Sequence, residues 1–218
     1  MSFKLPNSKQ RLAILGCTGS GKTLAELFHV SNANFDVMPW TIIDYKTDEH
    51  IAAITRAQYV TANDSPKRPG LYVLQPEPKQ DISGYLTRVW EKGSHGVVLD
   101  EGYMISEVPA NEERFITLLT QGRSKRVPMI VLSQRPAWIS RFVFSEADFI
   151  QAYRLNDKRD IKTVEAFLPS GAYTRLPEYH SVYYDVGRDK LTRLAPVPDE
   201  ETTLAKIDAK LKPIRKAI

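Results

Sequence analysis

The chain has few of the residues that staple or anchor small proteins. Its 218 residues include one cysteine, Cys17, which excludes an internal disulfide and fits a reducing compartment. The four histidines, His29, His50, His95 and His180, stand too far apart for a local zinc motif. No hydrophobic run approaches the roughly 20 residues that span a bilayer. The apolar stretch near the N-terminus runs straight into glycines and a lysine, unlike a secretory signal. Internal repeats and low-complexity tracts are missing too. What is left is an ordinary globular composition, 42% hydrophobic and 26% charged, in a length suited to one generous domain with a full core.

The net charge of +4 is unevenly placed. Residues 202–218 hold Lys206, Lys210, Lys212, Arg215 and Lys216 against Asp208, whereas the other 201 residues carry 25 charges of each sign. A neutral body with a basic C-terminal helix suits contact with nucleic acid or an acidic partner, and equally a solubilising tail. The boundary expected from this is a main domain over 1–198 and a basic helix or tail over 199–218.

Buried-strand runs alternate with helical patterns, which predicts an α/β fold with a mostly parallel sheet flanked by helices. Strands are expected at Arg11–Leu15, Trp40–Tyr45, Leu71–Leu74, Gly96–Asp100, Met129–Ser133 and Phe149–Leu155. Helices are expected at Lys22–Val30, Asp48–Ala57, Asp81–Lys92, Asn111–Arg123 and Asp160–Leu168, with a loop over 61–70. A hairpin around Gly187 and a closing helix striped by Leu204, Ile207, Leu211 and Ile214 complete the pattern.

The strongest chemical signal is Gly16-Cys17-Thr18-Gly19-Ser20-Gly21-Lys22-Thr23, a complete G-x-x-x-x-G-K-[ST] phosphate loop between a strand and a helix. Its glycines let backbone N–H groups turn inward, and the following helix adds its positive N-terminal end. Gly16, Thr18, Gly19, Ser20 and Gly21 would cradle phosphates of ATP. Lys22 would reach the β- and γ-phosphates, and the Thr23 hydroxyl would ligate Mg²⁺.

Val97-Val98-Leu99-Asp100-Glu101 ends an apolar strand in two acids. Asp100 is placed to hold Mg²⁺ through water, and Glu101 to polarise an attacking water, which favours hydrolysis over transfer to a substrate hydroxyl. A solvated acidic turn is the alternative. In Met129–Ser133 followed by Gln134, a strand lying between the first two would bring a neutral amide near the γ-phosphate. Taken alone, the same pattern reads as a buried strand with a polar end.

Together these residues resemble the FtsK/HerA superfamily of DNA-pumping ATPases over most of 11–195. The phosphate loop matches, as do Ile42-Ile43-Asp44-Tyr45-Lys46 (similar to the "IDPK" strand end), Asp100-Glu101, and Ser133-Gln134-Arg135-Pro136 (similar to "TQRP"). Tyr45 departs from the usual proline. The resemblance implies a RecA/ASCE-like fold, places Asp44 on the nucleotide side, and makes Gln134 a catalytic residue. It also makes Arg123 a finger reaching a neighbouring subunit's nucleotide, with Arg126 as the fallback and a solvated helix end as the plain alternative.

The size matches stripped motors such as the genome-packaging ATPases of tectivirus-like, internal-membrane viruses. That implies double-stranded DNA as a sequence-independent partner, a hexameric or pentameric ring, capsid vertex proteins, and membrane association only through partners. The host cytoplasm or the virion is the implied location. Lys67, Arg68, Arg188 and Lys190 are the candidate DNA contacts. A phage assembly or export ATPase like the zonula-occludens-toxin-like proteins, and a small-molecule P-loop kinase, are the competing readings.

Overall fold

A computed structural model describes residues 4–66, 68–174 and 176–211. The described strands form one nine-stranded sheet in the order β3-β4-β2-β5-β6-β1-β7-β8-β9. They are β1 (Arg11–Leu15), β2 (Pro39–Ile43), β3 (Gln58–Val60), β4 (Gly70–Leu74), β5 (Gly96–Leu99), β6 (Met129–Ser133), β7 (Phe149–Ala152), β8 (Ser181–Asp185) and β9 (Lys190–Leu194). Every pair from β3 to β7 is parallel, and β8 and β9 join antiparallel at the edge. Parallel strands need helical crossovers that cover both faces. This is why β1, β2, β5, β6 and β7 are buried at every residue rather than alternately.

One face packs on α3 (Ser83–Lys92), α4 (Pro109–Gln121), α5 (Phe142–Ser145) and α6 (Lys158–Glu165), through residues such as Leu86, Phe115, Leu118, Phe144 and Val164. The opposite face packs on α1 (Lys22–Ser31), α2 (Glu49–Ala52) and α7 (Glu200–Lys210), through Leu27, Val30, Ile51 and Ile207. Helix α7 lies against α1 as part of the core. Its basic residues serve structure there: Lys206 Nζ donates to Asn32 Oδ1 (2.7 Å) and Lys210 Nζ to the Ala33 carbonyl (3.1 Å). Pro213, Ile214 and the remaining tail cations lie outside the described residues.

Several expected boundaries move. The helix expected over 48–57 is only α2, because Asp48 caps it through His50 N (2.9 Å) and Asp208 binds Thr55 and Arg56 just beyond it. Edge strand β3 and short helix α5 had no clear periodicity. The strand expected to reach Tyr45 stops at Ile43, and the helix expected to end at Arg123 stops at Gln121. No helix among the described residues is long and apolar enough to cross a membrane.

Candidate active site

Parallel strands end together, and loops leaving their C-terminal ends form the crevice where α/β proteins hold ligands. Here β1, β2, β5 and β6 end on the phosphate loop, Asp44, Asp100 and Gln134 respectively. Each acid is fixed by the sheet ladder running one residue past its strand: Asp44 N donates to the Leu74 carbonyl (2.9 Å) and Asp100 N to that of Ile43 (3.1 Å).

The phosphate loop is pinned on both sides, by Gly16 N to the Ser133 carbonyl (3.2 Å) and Cys17 N to that of Arg154 (2.9 Å). Position 16 admits no side chain, since a Cβ there would stand 2.6 Å from Ser20 Oγ and 2.7 Å from Tyr153 Cβ. Gly21, which opens α1, has φ +96°, in the left-handed region that glycine adopts without steric cost. Lys22 bends back across the loop, its Nζ donating to the Cys17 carbonyl (2.8 Å). Burial pushes its pKa down to about 8. Thr18 Oγ1 donates to Gln134 Oε1 (2.6 Å), which ties the loop to the strand end expected to sense it.

Glu101 is 1% exposed and held from two sides. Its Oε1 accepts from Gln134 N (3.1 Å) and Ser133 Oγ (3.3 Å), while Lys46 Nζ lies 2.8 Å from Oε2 and 3.7 Å from Asp100 Oδ2. Burial raises the pKa of Asp100 to about 7, against the pull of Lys46. Its Oδ2 is buried without a hydrogen-bond donor. That oxygen, whose nearest cation is Lys46 at 3.7 Å, and the Thr23 hydroxyl are hard donors of the kind a divalent cation takes. No group of three His, Cys, Asp or Glu side chains among the described residues already forms a metal cage.

The carboxylate of Asp44 is taken up by its own turn, accepting from Lys46 N (3.1 Å), Asp48 N (3.2 and 3.1 Å) and Gln75 Nε2 (3.0 Å). Asp48 then meets Thr23 Oγ1 at 3.5 Å.

No protein-family model matches the chain. The DNA packaging ATPase P9 of Enterobacteria phage PRD1 is 41% identical to it over 221 residues, covering 95% of this chain and 96% of that protein. The chain belongs to this packaging-ATPase family. Among solved structures, the genome packaging NTPase B204 from Sulfolobus turreted icosahedral virus 2, in complex with ATP-gammaS, superposes with a TM-score of 0.72. The match is 17% identical and covers 88% of this chain and 100% of that one. EssC (ATPases 2 and 3) from Geobacillus thermodenitrificans gives 0.66 at 13% identity, over 93% of this chain and 43% of that one. At those identities the likeness is one of fold.

The structure brings the phosphate loop, Asp100, Glu101 and Gln134 of this packaging-ATPase relative into one crevice, and leaves Arg123 outside it. Arg123 lies in the turn before β6, at the N-terminal end of the strands, where its Nη2 binds Asp148 Oδ1 (2.8 Å). The other oxygen of Asp148 accepts from Arg11 N (2.9 Å) at the start of β1. The five residues of β1 separate that end from the phosphate loop by about 16 Å. Arg126 occupies the same turn, with φ +57°. Arg68 precedes β4, and Arg188 and Lys190 flank the β8–β9 turn, whose Val186 N donates to the Asp148 carbonyl (3.0 Å). These cations therefore share one end of the sheet with Arg123. Lys67 lies outside the described residues.

Three site residues had no role assigned from sequence. Lys46 was legible only as part of a strand-end motif, and Asp48 only as a helix start. Glu26 stands one turn after Lys22, fully buried, with neither carboxylate oxygen hydrogen-bonded. Burial, then Asp100, Asp48 and Asp44, hold its pKa well above the carboxylate range. An acid among the apolar positions Ala25, Leu27 and Val30 was the available signal.

Proposed function

We propose that this chain hydrolyses ATP to drive double-stranded DNA into a viral capsid. The observation that carries the reading is Glu101, fixed between Gln134 N and Lys46 at the mouth of a phosphate loop, in a chain whose family is that of packaging ATPases. Lys22 leaves the Cys17 carbonyl to contact the β- and γ-phosphates, and the loop N–H groups supply the rest of the cradle. Thr23 and Asp100 would hold Mg²⁺, which when bound would neutralise charge on the β- and γ-phosphates. Glu101 orients and polarises the attacking water. Gln134, bonded to Thr18, reports the state of the γ-phosphate to the strand end. Asp44 orders the turn that carries Lys46 and Asp48, and so acts on the nucleotide indirectly.

Arg123 acts in trans on the neighbouring subunit's nucleotide in a ring of five or six copies. Its distance from its own loop and its exposed position support that role. Arg68, Arg188 and Lys190 at the same end of the sheet are the candidate phosphate contacts for duplex DNA, which a motor grips without reading bases. Capsid vertex proteins complete the assembly, in the host cytoplasm or on the virion.

The deciding experiment is ATP turnover with increasing duplex DNA, alongside the mass of the particle in solution. We expect turnover to rise with DNA of any sequence, to lose that stimulation steeply with salt, and to come from an oligomer. A monomer indifferent to DNA would overturn the proposal.

A further inference from the structure

The phosphate loop accounts for one side of a nucleotide, and a strained aromatic residue marks the other. Tyr179 has φ +57°, a conformation that bulky side chains rarely adopt, and it is 49% exposed. Such backbone outliers persist where the surrounding structure enforces them, commonly at ligand sites. Its ring lies against the start of α1: a Cβ on Gly21 would meet Tyr179 Cδ1 at 3.3 Å. The adjoining segment is tied to the residue after β7 and turns back on itself. Tyr173 OH donates to the Tyr153 carbonyl (2.7 Å), and His180 N closes a turn on that of Pro177 (3.2 Å).

Between these residues and the end of β7 opens a cavity of about 700 Å³, lined by Arg154, Leu155, Tyr173, Leu176, Pro177 and Glu178 among others. This volume is within the range of small-molecule sites. Its position follows from strand order. Because β1 lies between β6 and β7, the phosphate loop has Gln134, with Glu101 beyond it, on one side, and Arg154 on the other. A triphosphate whose last phosphate faces Glu101 and Gln134 therefore directs its nucleoside toward β7 and the start of α1.

We propose that Tyr179 is the aromatic platform on which the nucleobase stacks, with the adjoining cavity receiving the nucleoside. This rests on the phosphate-loop reading above and adds the base to it. Stacking a base on an aromatic ring is worth about 1–3 kcal/mol, or roughly 5- to 150-fold in affinity.

The test compares ATP with inorganic tripolyphosphate, which carries phosphates and no base, on the full chain. We expect Tyr179→Ala to weaken ATP about tenfold or more and leave tripolyphosphate unchanged, while Tyr179→Phe keeps wild-type affinity for both. Unchanged ATP affinity in Tyr179→Ala, or an equal loss for both ligands, would overturn the proposal. Photolabelling of the unmodified chain with 8-azido-ATP checks it independently: label should fall on the peptide carrying Tyr173 to His180, and exclusive labelling elsewhere also overturns it. A wild-type chain that binds neither ligand would sink the phosphate-loop reading itself, and this proposal with it.

Discussion

The ammonium of Lys46 lies 2.8 Å from Glu101 Oε2, so the carboxylate at the centre of the site already has a cation beside it. Glu26, Asp44, Asp48 and Asp100 surround the same point, and Lys46 is the base paired with two acids there. Removing one partner of a buried pair leaves uncompensated charge. Lys46 is 39% exposed, so solvent screens part of that cost. Lys46→Met should destabilise the free protein by about 1–2 kcal/mol, or roughly 2–8 °C in melting temperature. Added Mg²⁺ should restore part of the loss. A variant as stable as the wild type and indifferent to Mg²⁺ would show that the pair has no energetic role.

Lys22→Ala and Glu101→Gln should both abolish turnover yet differ in binding. Lys22 contributes ground-state phosphate contacts, so its loss weakens ATP binding. Glu101 acts on water, so Glu101→Gln should hold ATP without cleaving it. Titration with a fluorescent nucleotide distinguishes the two, and equal loss of affinity would remove Glu101 from the role of base.

Arg123→Ala should retain ATP binding and lose hydrolysis on the order of a thousandfold, as expected of a transition-state finger. Mixed with Lys22→Ala subunits, it should recover part of the activity, because each variant supplies the half-site the other lacks. Mixed rings that form but stay inactive would confine Arg123 to its structural bond with Asp148.

Two buried histidines predict an acid-sensitive core. His29 is bonded to Gln151 Oε1 (2.7 Å) and His95 to Thr41 Oγ1 (2.8 Å), and burial pushes their pKa values down to about 4 and about 3. Both folded values lie below the unfolded 6.5, so their contribution is complete above pH 6.5 and is lost as pH falls toward 4. Each accounts for a loss on the order of 2–4 kcal/mol across that window. Asp100 and Glu26, whose pKa values are raised, act with the opposite sign, so the readout is a difference. Urea unfolding of the wild type should lose more stability between pH 7 and 4.5 than His95→Gln does. Parallel curves would refute the assignment.

Much of this site was legible because its chemistry is local. The phosphate loop needs a strand, a turn with glycines at set positions and a helix start, all within Arg11–Thr23. Asp100 and Gln134 could be read as the residues at the ends of apolar runs, since a parallel strand buried on both faces leaves its polar residues at its ends. Strand order, and hence that β6 would separate β5 from β1, was an expectation that only long-range pairing could realise. Lys46, Asp48 and Glu26 acquire meaning only when β2, β5 and α1 converge, because a charge's role depends on which opposite charges share its low-dielectric surroundings. The same holds for Arg123 and Tyr179. Sequence places one at the end of a helix and the other at the start of a strand, whereas packing puts Arg123 at the opposite end of β1 from its own loop and lays Tyr179 against Gly21. Sequence by itself determined the fold class and the phosphate chemistry, which depend on short-range pattern. Tertiary structure decided which side chains face one another, because that depends on strand order and packing across the sheet.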